Sequence, residues 1–399
     1  MSGDEPVSKD EPVSKDEPVS GDEPVSGDEP VSAGAWRAPG RANLMGEHTD
    51  YNEGLVLPFA LQYGTTAIAA RRDDGKLVLR SGQAPGEPVT VALDSLAPGS
   101  VTGWAAYPAG VAWALGEAGH EVPGAAIDID SDLPEGAGLS SSAALESSVA
   151  LALTELAGLA VARRELATIA RRAENEFIGV PTGIMDQSAS LLCEAGHALL
   201  LDCRTLEITQ VPFDPAAAGA ALLVVNTRAK HALTGGEYGR RRAECEEAAR
   251  QLGVPSLGYL TNAGDADRLA DPVLRRRARH VISDDARVRA VVNLLRSASP
   301  GPAVYREIGA LLSRAHLSLR DDFEISWPEA DVTVETAESA GALGARMIGG
   351  GFGGSVLALV PAEALPAVRA AITEAFRLRS WTAPGFLDAI PSASAARVA

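Results

Sequence analysis

The chain has 399 residues, of which 46% are hydrophobic and 22% charged, a globular composition at a length that favours two domains over one. Its formal net charge of −18 argues against a nucleic-acid partner, because binding to a phosphate backbone depends on a basic surface. We expect no membrane span, since no apolar run approaches the roughly 18 residues that a spanning helix needs, and the absence of a secretory-signal pattern at the N-terminus predicts a cytoplasmic location.

The first element in chain order is a repeat. Residues 3–32 repeat the hexapeptide Gly/Lys-Asp-Glu-Pro-Val-Ser five times and carry ten acidic side chains and two lysines. Each repeat contains proline and offers only valine for burial, which is too little to offset the entropy lost on ordering. A left-handed β-helix, which a period of six can also indicate, needs several apolar positions per turn. The composition therefore predicts that residues 1–32 form a disordered acidic tail.

From residue 33 onward, β-rich segments alternate with long alanine-rich helical ones, a pattern typical of an α/β or α+β protein. Strands are predicted at residues 65–71, 77–80, 89–93, 125–129, 198–202, 221–226, 345–348 and 356–360. Helices are predicted at residues 104–116, 141–158, 163–177, 236–252, 302–320 and 362–377. The proline- and glycine-bounded stretch at 212–219 predicts a junction between a first domain, 33–214, and a second, 215–399. We expect the active site between these domains, a favoured place for ligand clefts.

The stretch at residues 38–52 packs a cation, two carboxylates, an imidazole and amides between apolar flanks. A solvated polar loop is the ordinary alternative, since Asn, Asp and Gly are common turn residues. However, the apolar flanks should anchor the stretch at both ends, and anchored loops hold functional groups well. Carboxylates and an imidazole at this density suit the binding of sugar hydroxyls.

A second stretch, residues 133–145, leads two glycines and three serines directly into a helical run that extends to about residue 158. The free N–H groups and the positive end of a helix bind anions such as phosphate, and the serine hydroxyls are available to Mg²⁺ or to further phosphate oxygens. A plain helix N-cap is the alternative. The stretch is not a Walker loop, because the chain contains no Gly-Lys-Ser/Thr tripeptide.

Two further acids stand among apolar neighbours. Glu174 lies on the apolar face of the predicted helix at 163–177, where an ionised carboxylate needs a partner or a metal. Asp186 follows a Pro-Thr-Gly turn and is surrounded by small and apolar residues. Pairing of either acid with an arginine in a purely structural role is the alternative.

The glycine-rich stretch at residues 347–355 contains the spacing Gly-x-Gly-x-x-Gly. A dinucleotide-binding fingerprint requires a helix next, whereas a strand is predicted here, so the Rossmann interpretation fails and a ligand-approaching loop or a flexible turn remains. The three cysteines are unclustered and are expected to be buried and inert. Apart from His48, the histidines show no metal-ligand spacing and are interpreted as surface or core residues: His120, His197, His231, His280 and His316.

Together, the stretches at 38–52, 133–145 and 347–355 resemble the three ordered motifs of the GHMP small-molecule kinases. Within that superfamily, the Gly-Glu-His-Thr-Asp-Tyr-Asn run at 46–52 resembles the sugar-binding sequence of galactokinases. Residues 226–233 and 236–242 resemble the second sugar-contacting region of that family. Thr182 stands where many members have Cys, and Gly239 where many have Pro, which bears on fine specificity only.

The resemblance implies an α+β, two-domain GHMP kinase fold, with a mixed β/α N-terminal domain, a ferredoxin-like C-terminal domain and the active site in the cleft between them. It also implies transfer of the γ-phosphate of Mg²⁺-bound ATP to the C1 hydroxyl of galactose, by a chain that we expect to be a monomer. The residues implied are the catalytic pair Arg41 and Asp186; Glu47, His48, Asp50, Gly183 and Tyr238 facing galactose; Gly136, Gly138, Ser140, Ser141, Ser142, Trp104 and Tyr107 binding the nucleotide; and Ser142 and Glu174 holding Mg²⁺.

In this reaction Asp186 is expected to accept or orient the proton of the anomeric hydroxyl, while Arg41 stabilises Asp186 and the transferred phosphoryl group. Two other functions stay open at this point. One is a kinase for a related sugar such as galacturonate or N-acetylgalactosamine. The other is a non-catalytic sensor of galactose and ATP, but such proteins resemble the family with a damaged phosphate loop, whereas residues 140–144 are intact here.

Overall fold

A computed structural model describes residues 31–229, 236–297 and 300–399. The predicted disordered tail lies outside these ranges except for its last two residues, and so do residues 230–233 of the second sugar-contacting region. In the described ranges no helix is both long and apolar enough to cross a membrane.

Strands and helices are mixed along the whole described chain. The strands are β1 (Ala33–Asn43), β2 (Leu55–Val56), β3 (Pro58–Arg72), β4 (Lys76–Ser81), β5 (Val89–Ala92), β6 (Gly124–Ser131), β7 (His197–Asp202), β8 (Ile208–Pro212), β9 (Ala220–Asn226), β10 (Gly344–Ile348), β11 (Ser355–Pro361), β12 (Gly385–Ala389) and β13 (Ala396–Arg397). The α-helices are α1 (Ala106–Glu117), α2 (Ser141–Ala157), α3 (Arg163–Arg172), α4 (Met185–Leu192), α5 (Glu237–Leu252), α6 (Pro272–Leu295), α7 (Pro302–Asp321), α8 (Pro328–Ser339) and α9 (Leu365–Leu378).

Each predicted strand and helix is found, and the ends differ by a few residues except at β3, which begins at Pro58 rather than at residue 65. The predicted helix at 163–177 is α3 followed by a π-helical turn at Ala173–Ile178. The sequence did not predict β1, β2, β8, β12, β13, α4, α6 and α8.

β1 is the main difference, because we interpreted residues 38–52 as one anchored loop. Pro39 and Gly40 argue against a strand, yet residues 33–43 pair with β3, and the register shifts between Pro39 and Arg41. Such an irregularity lets a strand keep its pairing while it bends. The bend brings β1 against the serine-rich stretch: Arg41 N donates to Leu139 O at 3.1 Å, and a Cβ atom on Gly40 would lie 2.5 Å from the same oxygen.

The first sheet has six strands in the order β13-β1-β3-β6-β4-β5. Its pairs are antiparallel except β4 with β6. Helix α2 packs across β1 and β3, and α1, α3 and α4 pack around α2. This arrangement places the N-termini of α2 and α4 beside the bent end of β1, where the candidate site lies.

The second sheet has four strands in the order β10-β11-β9-β12, and all its pairs are antiparallel. With α5–α8 between β9 and β10, and α9 between β11 and β12, the chain follows the β-α-β-β-α-β connection of a ferredoxin-like domain. The implied fold of the C-terminal half is therefore confirmed. Neighbouring residues of β9 face opposite sides: Leu222 and Val224 join a core shared with the N-terminal half, and Leu223 and Val225 a core with α5, α8 and α9.

The end of the chain returns to the first sheet, where Trp36 and Arg37 of β1 pair with Arg397 and Ala396. The division into 33–214 and 215–399 stays a prediction, and this strand pair attaches the last residues to the first sheet. A smaller sheet, β2-β7-β8, contacts β3 of the first sheet and α6 of the C-terminal half. Of the cysteines, Cys193 and Cys245 are buried as expected, whereas Cys203 is partly exposed.

Candidate active site

Arg41 and Asp186, which are 145 residues apart in the chain, form a bidentate ion pair. Arg41 Nε lies 2.9 Å from Asp186 Oδ1, and Nη2 lies 3.0 Å from Oδ2. The third guanidinium nitrogen, Nη1, donates to the carbonyl of Gly138 at 2.8 Å. Arg41 is 4% exposed, whereas the Asp186 side chain is 27% exposed. The arginine is therefore buried and held by three hydrogen bonds, whereas the carboxylate is partly exposed to the cleft.

The local structure explains why the two side chains meet. Arg41 follows the register shift of β1, and Asp186 stands in the first turn of α4, where the helix dipole stabilises a negative charge. The hydroxyl of Ser140 also donates to Asp186 Oδ2. Three segments thus fix the orientation of one carboxylate.

In front of this pair lies a cavity of about 150 Å³. All five residues predicted to face the sugar line it: Glu47, His48, Asp50, Gly183 and Tyr238. Arg41, Asp186, Thr182, Met185, Gly349 and Gly350 complete the lining. Carboxylates, an imidazole and a phenol around one small cavity offer several acceptors and donors to a polyhydroxylated ligand.

His48 is buried at the back of this cavity and has a positive φ of 60°. Its Nδ1 lies 2.7 Å from Tyr51 Oη, and its Nε2 lies 3.2 Å from the carbonyl oxygen of Gly350. Burial lowers the pKa of His48 to about 3, so the ring is neutral. Because a carbonyl only accepts, Nε2 carries the hydrogen, and Nδ1 accepts from the tyrosine.

Residues 44–54, between β1 and β2, form the sugar loop, and its two acids Glu47 and Asp50 have different surroundings. Glu47 Oε1 accepts from the N–H of Gly349 at 2.9 Å and pairs with Arg346 Nη2 at 2.6 Å. Burial, together with the nearby charge of Asp186, raises the pKa of Asp50 to about 6. Burial raises the pKa of Glu47 as well, although the charges of Arg346 and Arg41 oppose that shift. Both acids of this loop therefore hold a proton more readily than an exposed carboxylate does.

The stretch at 136–142, which we call the phosphate loop, leads into α2 and includes the first two residues of that helix. Gly136 and Gly138 are exposed and adopt positive φ values of 66° and 69°, which glycine tolerates without steric cost. Ser140 adopts a left-handed conformation and makes no side-chain hydrogen bond that caps α2. The plain N-cap alternative therefore does not describe Ser140, whose hydroxyl contacts Asp186 instead, and the first N–H groups of a 17-residue helix stay open to an anion.

A second cavity of about 210 Å³ adjoins this helix end. Ser141 and Ser142 line it together with the aromatic side chains of Trp104 and Tyr107. Gly136, Gly138 and Ser140 lie in the loop that leads to it. The structure thus brings all seven residues predicted to bind the nucleotide to one region, with aromatic and polar groups around one space.

Glu174 is 5% exposed and stands in the π-helical turn behind this region. Its Oε2 accepts from Thr182 Oγ1 and from Gln187 Nε2, each at 2.9 Å. Burial raises its pKa, and hydrogen bonds from Thr182, Gln187 and Ser142 lower it. The contact with Ser142 joins the two oxygen donors that the resemblance assigns to Mg²⁺.

The glycine-rich stretch is the loop between the antiparallel strands β10 and β11, so the predicted strand–loop–strand arrangement is confirmed. Gly349 N–H and Gly350 C=O contact Glu47 and His48 of the sugar loop. Ser355 Oγ donates to Ala137 O at 2.7 Å. This loop therefore joins the second sheet to both the sugar loop and the phosphate loop.

Reasoning from the sequence missed the residues that support the site. His280, which we interpreted as a surface or core residue, lies with Nε2 3.0 Å from the carbonyl oxygen of Glu47. Arg346 is fully buried on β10 beside Glu47. Gln187 bridges Glu174 and the buried Glu146. The adjacency of Gln187 to Asp186 was the one signal in the sequence, whereas the contacts of the other two depend on tertiary structure.

Three family models match the chain. They are the GHMP kinases N terminal domain over residues 106–194, the galactokinase galactose-binding signature over 25–71 and the GHMP kinases C terminal domain over 302–378. The signature match begins at residue 25, inside the predicted tail, and residues 195–301 lie between the two domain matches.

Comparisons with known proteins agree. The chain is 53% identical to a galactokinase of Streptomyces coelicolor, over 92% of this chain and 94% of that one. It is 45% identical to a galactokinase of Mycobacterium tuberculosis, over 88% and 98%. The crystal structure of Lactococcus lactis galactokinase complexed with galactose is 34% identical, covers 92% of this chain and 95% of its own, and superposes with a TM-score of 0.87. A mevalonate kinase of Methanococcus jannaschii, 16% identical, shares the fold with a TM-score of 0.64. The chain therefore belongs to the galactokinase family of the GHMP kinases.

Proposed function

We propose that this chain is a cytoplasmic, monomeric galactokinase that transfers the γ-phosphate of ATP to the C1 hydroxyl of galactose. The observation that carries the proposal is the bidentate pair of Arg41 and Asp186 at the wall of the sugar cavity. The carbonyl of Gly138, in the phosphate loop, accepts from the same arginine. One guanidinium thus links the group that meets the sugar to the loop that meets the nucleotide.

Asp186 is the residue that receives or orients the proton of the attacking hydroxyl. Its two oxygens are engaged by Arg41, and Oδ2 is also engaged by Ser140, so the carboxylate has one orientation. Arg41 keeps the carboxylate in place and provides positive charge next to the phosphoryl group as it moves. Positioning and neutralisation of charge are the main demands of phosphoryl transfer.

The residues that bind the sugar in this proposal belong to the sugar loop and, through Tyr238, to α5. Glu47 and Asp50 accept hydroxyl hydrogens, and the neutral His48 supports the ring of Tyr238, whose centroid lies 5.1 Å away. Gly183 leaves the space that the sugar and Asp50 share. Galactose is the sugar that we propose, because the chain matches the galactose-binding signature and its cavity carries the residues of that motif.

The residues present fit a Mg²⁺ ion that arrives with the nucleotide. Mg²⁺ prefers oxygen ligands and is usually held by one or two carboxylates together with substrate phosphates and water. The Glu174 carboxylate and the Ser142 hydroxyl match this donor set, and the described residues contain no cluster of three acidic, His or Cys side chains that would hold a metal alone. When bound, Mg²⁺ neutralises charge on the transferred phosphate.

An assay of ADP release tests the function directly. The purified chain is incubated with Mg²⁺-ATP and, in parallel reactions, with galactose, glucose, galacturonate and N-acetylgalactosamine, and the sugar product is identified by NMR. We expect galactose-dependent ADP release with phosphate on C1. If galacturonate or N-acetylgalactosamine is phosphorylated faster than galactose, that sugar is the preferred substrate and the proposal for galactose is wrong. Binding of galactose and ATP without ADP release would instead indicate the sensor alternative.

A further inference from the structure

The loop that carries the proposed sugar ligands is held from outside the cavity by α6. His280 and Asp284 lie one turn apart on this helix, on the same face, and both reach the backbone of Glu47. His280 Nε2 lies 3.0 Å from the carbonyl oxygen of Glu47, and Asp284 Oδ2 lies 3.0 Å from its nitrogen. Neither side chain is among the described residues that line the sugar cavity.

The donors and acceptors of these contacts are complementary. The carbonyl of Glu47 only accepts, so His280 donates from Nε2, and the Asp284 carboxylate accepts the N–H of Glu47. Both side chains are fully buried. Each is also held on its far side, since His280 Nδ1 lies 3.0 Å from Ser318 Oγ of α7 and Asp284 Oδ1 lies 2.6 Å from Arg287 Nη1.

The rest of the loop is held in the same manner. At its far end, Asp285 Oδ1 accepts the N–H of Leu55 at 2.9 Å, and a Cβ atom on Gly54 would lie 2.5 Å from that oxygen. The Glu47 side chain is fixed separately by Arg346 of β10. The backbone of Glu47 thus depends on α6, whereas its carboxylate depends on the second sheet.

We propose that His280 and Asp284 are positioning residues of the sugar pocket, which grip the C=O and N–H of Glu47 and so set the position of Glu47 and of the adjacent His48 against the sugar. This inference rests on the proposed function, because it concerns the same pocket. The partners are polar groups with no access to water, so losing one of them leaves a buried group of the loop unpaired and the loop shifts.

Calorimetric binding of galactose in the absence of nucleotide tests the proposal, together with steady-state kinetics. His280→Leu removes the donor to Glu47, and Asp284→Asn leaves one of the two contacts of residue 284 without an acceptor. We expect the galactose Kd and KM to rise about 10-fold or more in His280→Leu and several-fold in Asp284→Asn, with less than about a 3-fold change in the ATP KM. His280→Gln, whose amide can donate to the carbonyl, is expected to recover part of the loss.

Asp271→Ala is the matched control, because Asp271 caps the N-terminus of the same helix through Val273 N and Leu274 N and lies away from the loop. It should lower the melting temperature and leave the galactose Kd unchanged. If it raises the Kd as much as His280→Leu, or if folded His280→Leu and Asp284→Asn bind galactose like the wild type, the positioning role is wrong. If His280→Leu fails to fold, the comparison of Asp284→Asn with Asp271→Ala decides. A wild-type chain that neither binds nor phosphorylates galactose would overturn the proposed function instead.

Discussion

Gly183 lies so close to Asp50 that a Cβ atom on the glycine would stand 1.8 Å from Asp50 Oδ2. Both residues line the sugar cavity. The constraint is one of space, because Gly183 does not adopt the positive φ that favours glycine elsewhere in the chain. The turn before α4 and the sugar loop therefore meet at a point where only a hydrogen atom fits.

Gly183→Ala is expected to displace the Asp50 carboxylate and to raise the galactose KM about 10-fold or more, because a sugar hydroxyl loses its acceptor. The ATP KM should change little. Gly116→Ala on α1 is the control, since a Cβ atom there has nothing within 4 Å. An alanine at 183 that leaves the galactose KM unchanged would show that Asp50 does not bind the sugar.

The raised pKa of Asp50, about 6, predicts a pH dependence of galactose binding. The ionised form accepts the sugar hydroxyl, so affinity is full above about pH 6 and falls as Asp50 takes up a proton, by about 10-fold for each pH unit below that value. Galactose Kd values measured from pH 4.5 to 8 check this. Asp50→Asn should bind weakly and without this slope, and an equal slope in the variant would assign the titration to another group.

Glu174→Gln tests the proposed Mg²⁺ site. The variant keeps the size of the side chain but removes its charge, so we expect the concentration of free Mg²⁺ for half-maximal rate to rise about 10-fold or more. Mn²⁺ binding in the presence of ATP, followed by electron paramagnetic resonance, provides a readout that does not depend on turnover. The matched control is Glu176→Gln, because Glu176 lies in the same turn but pairs with Arg172 at the surface. Equal Mg²⁺ dependence in both variants would remove Glu174 from the metal site.

The buried Asp285 carboxyl should lower the free energy of unfolding at neutral pH relative to acidic pH. Burial raises its pKa from 3.8 to about 7, so the folded state holds its proton where the unfolded state has lost it, and the stability that this proton contributes is lost as pH rises from about 4 to 7. Asp285→Asn does not titrate and keeps an acceptor for Leu55 N–H. Its melting temperature relative to the wild type should therefore increase across this window and stay level above about pH 7. A difference that does not depend on pH would contradict the shift.

The sequence predicted those parts of the fold that depend on patterns between residues close together in the chain. Alternating and helical periodicities located most strands and helices, and the glycine–serine stretch located the N-terminus of α2. β1 was missed because Pro39 and Gly40 signal a break, whereas the pairing with β3 and the register shift are tertiary facts. α6 was missed because its many charged residues hide its apolar face, although Val281, Val288 and Val292 are buried.

The candidate site follows the same rule. The residues that line the sugar cavity were named from the resemblance, and the structure brings them together. The residues that hold them in place, His280 and Arg346, could not be identified from the sequence. His280 looked like a core residue because its partner is a backbone carbonyl 233 positions away. Arg346 lies fully buried beside Glu47, and no local pattern separates such an arginine from the many that lie at the surface.

The most direct test of the account is the turnover of variants of the Arg41–Asp186 pair. Asp186→Ala and Arg41→Ala should each lower kcat by about 10²–10⁴-fold, while ATP and galactose still bind in calorimetry. Arg37→Ala on the same strand, which breaks an exposed pair with Asp132, should turn over like the wild type, because such surface pairs contribute only about 0–1 kcal/mol. If both Asp186→Ala and Arg41→Ala phosphorylate galactose at nearly the wild-type rate, the pair is not the catalytic centre.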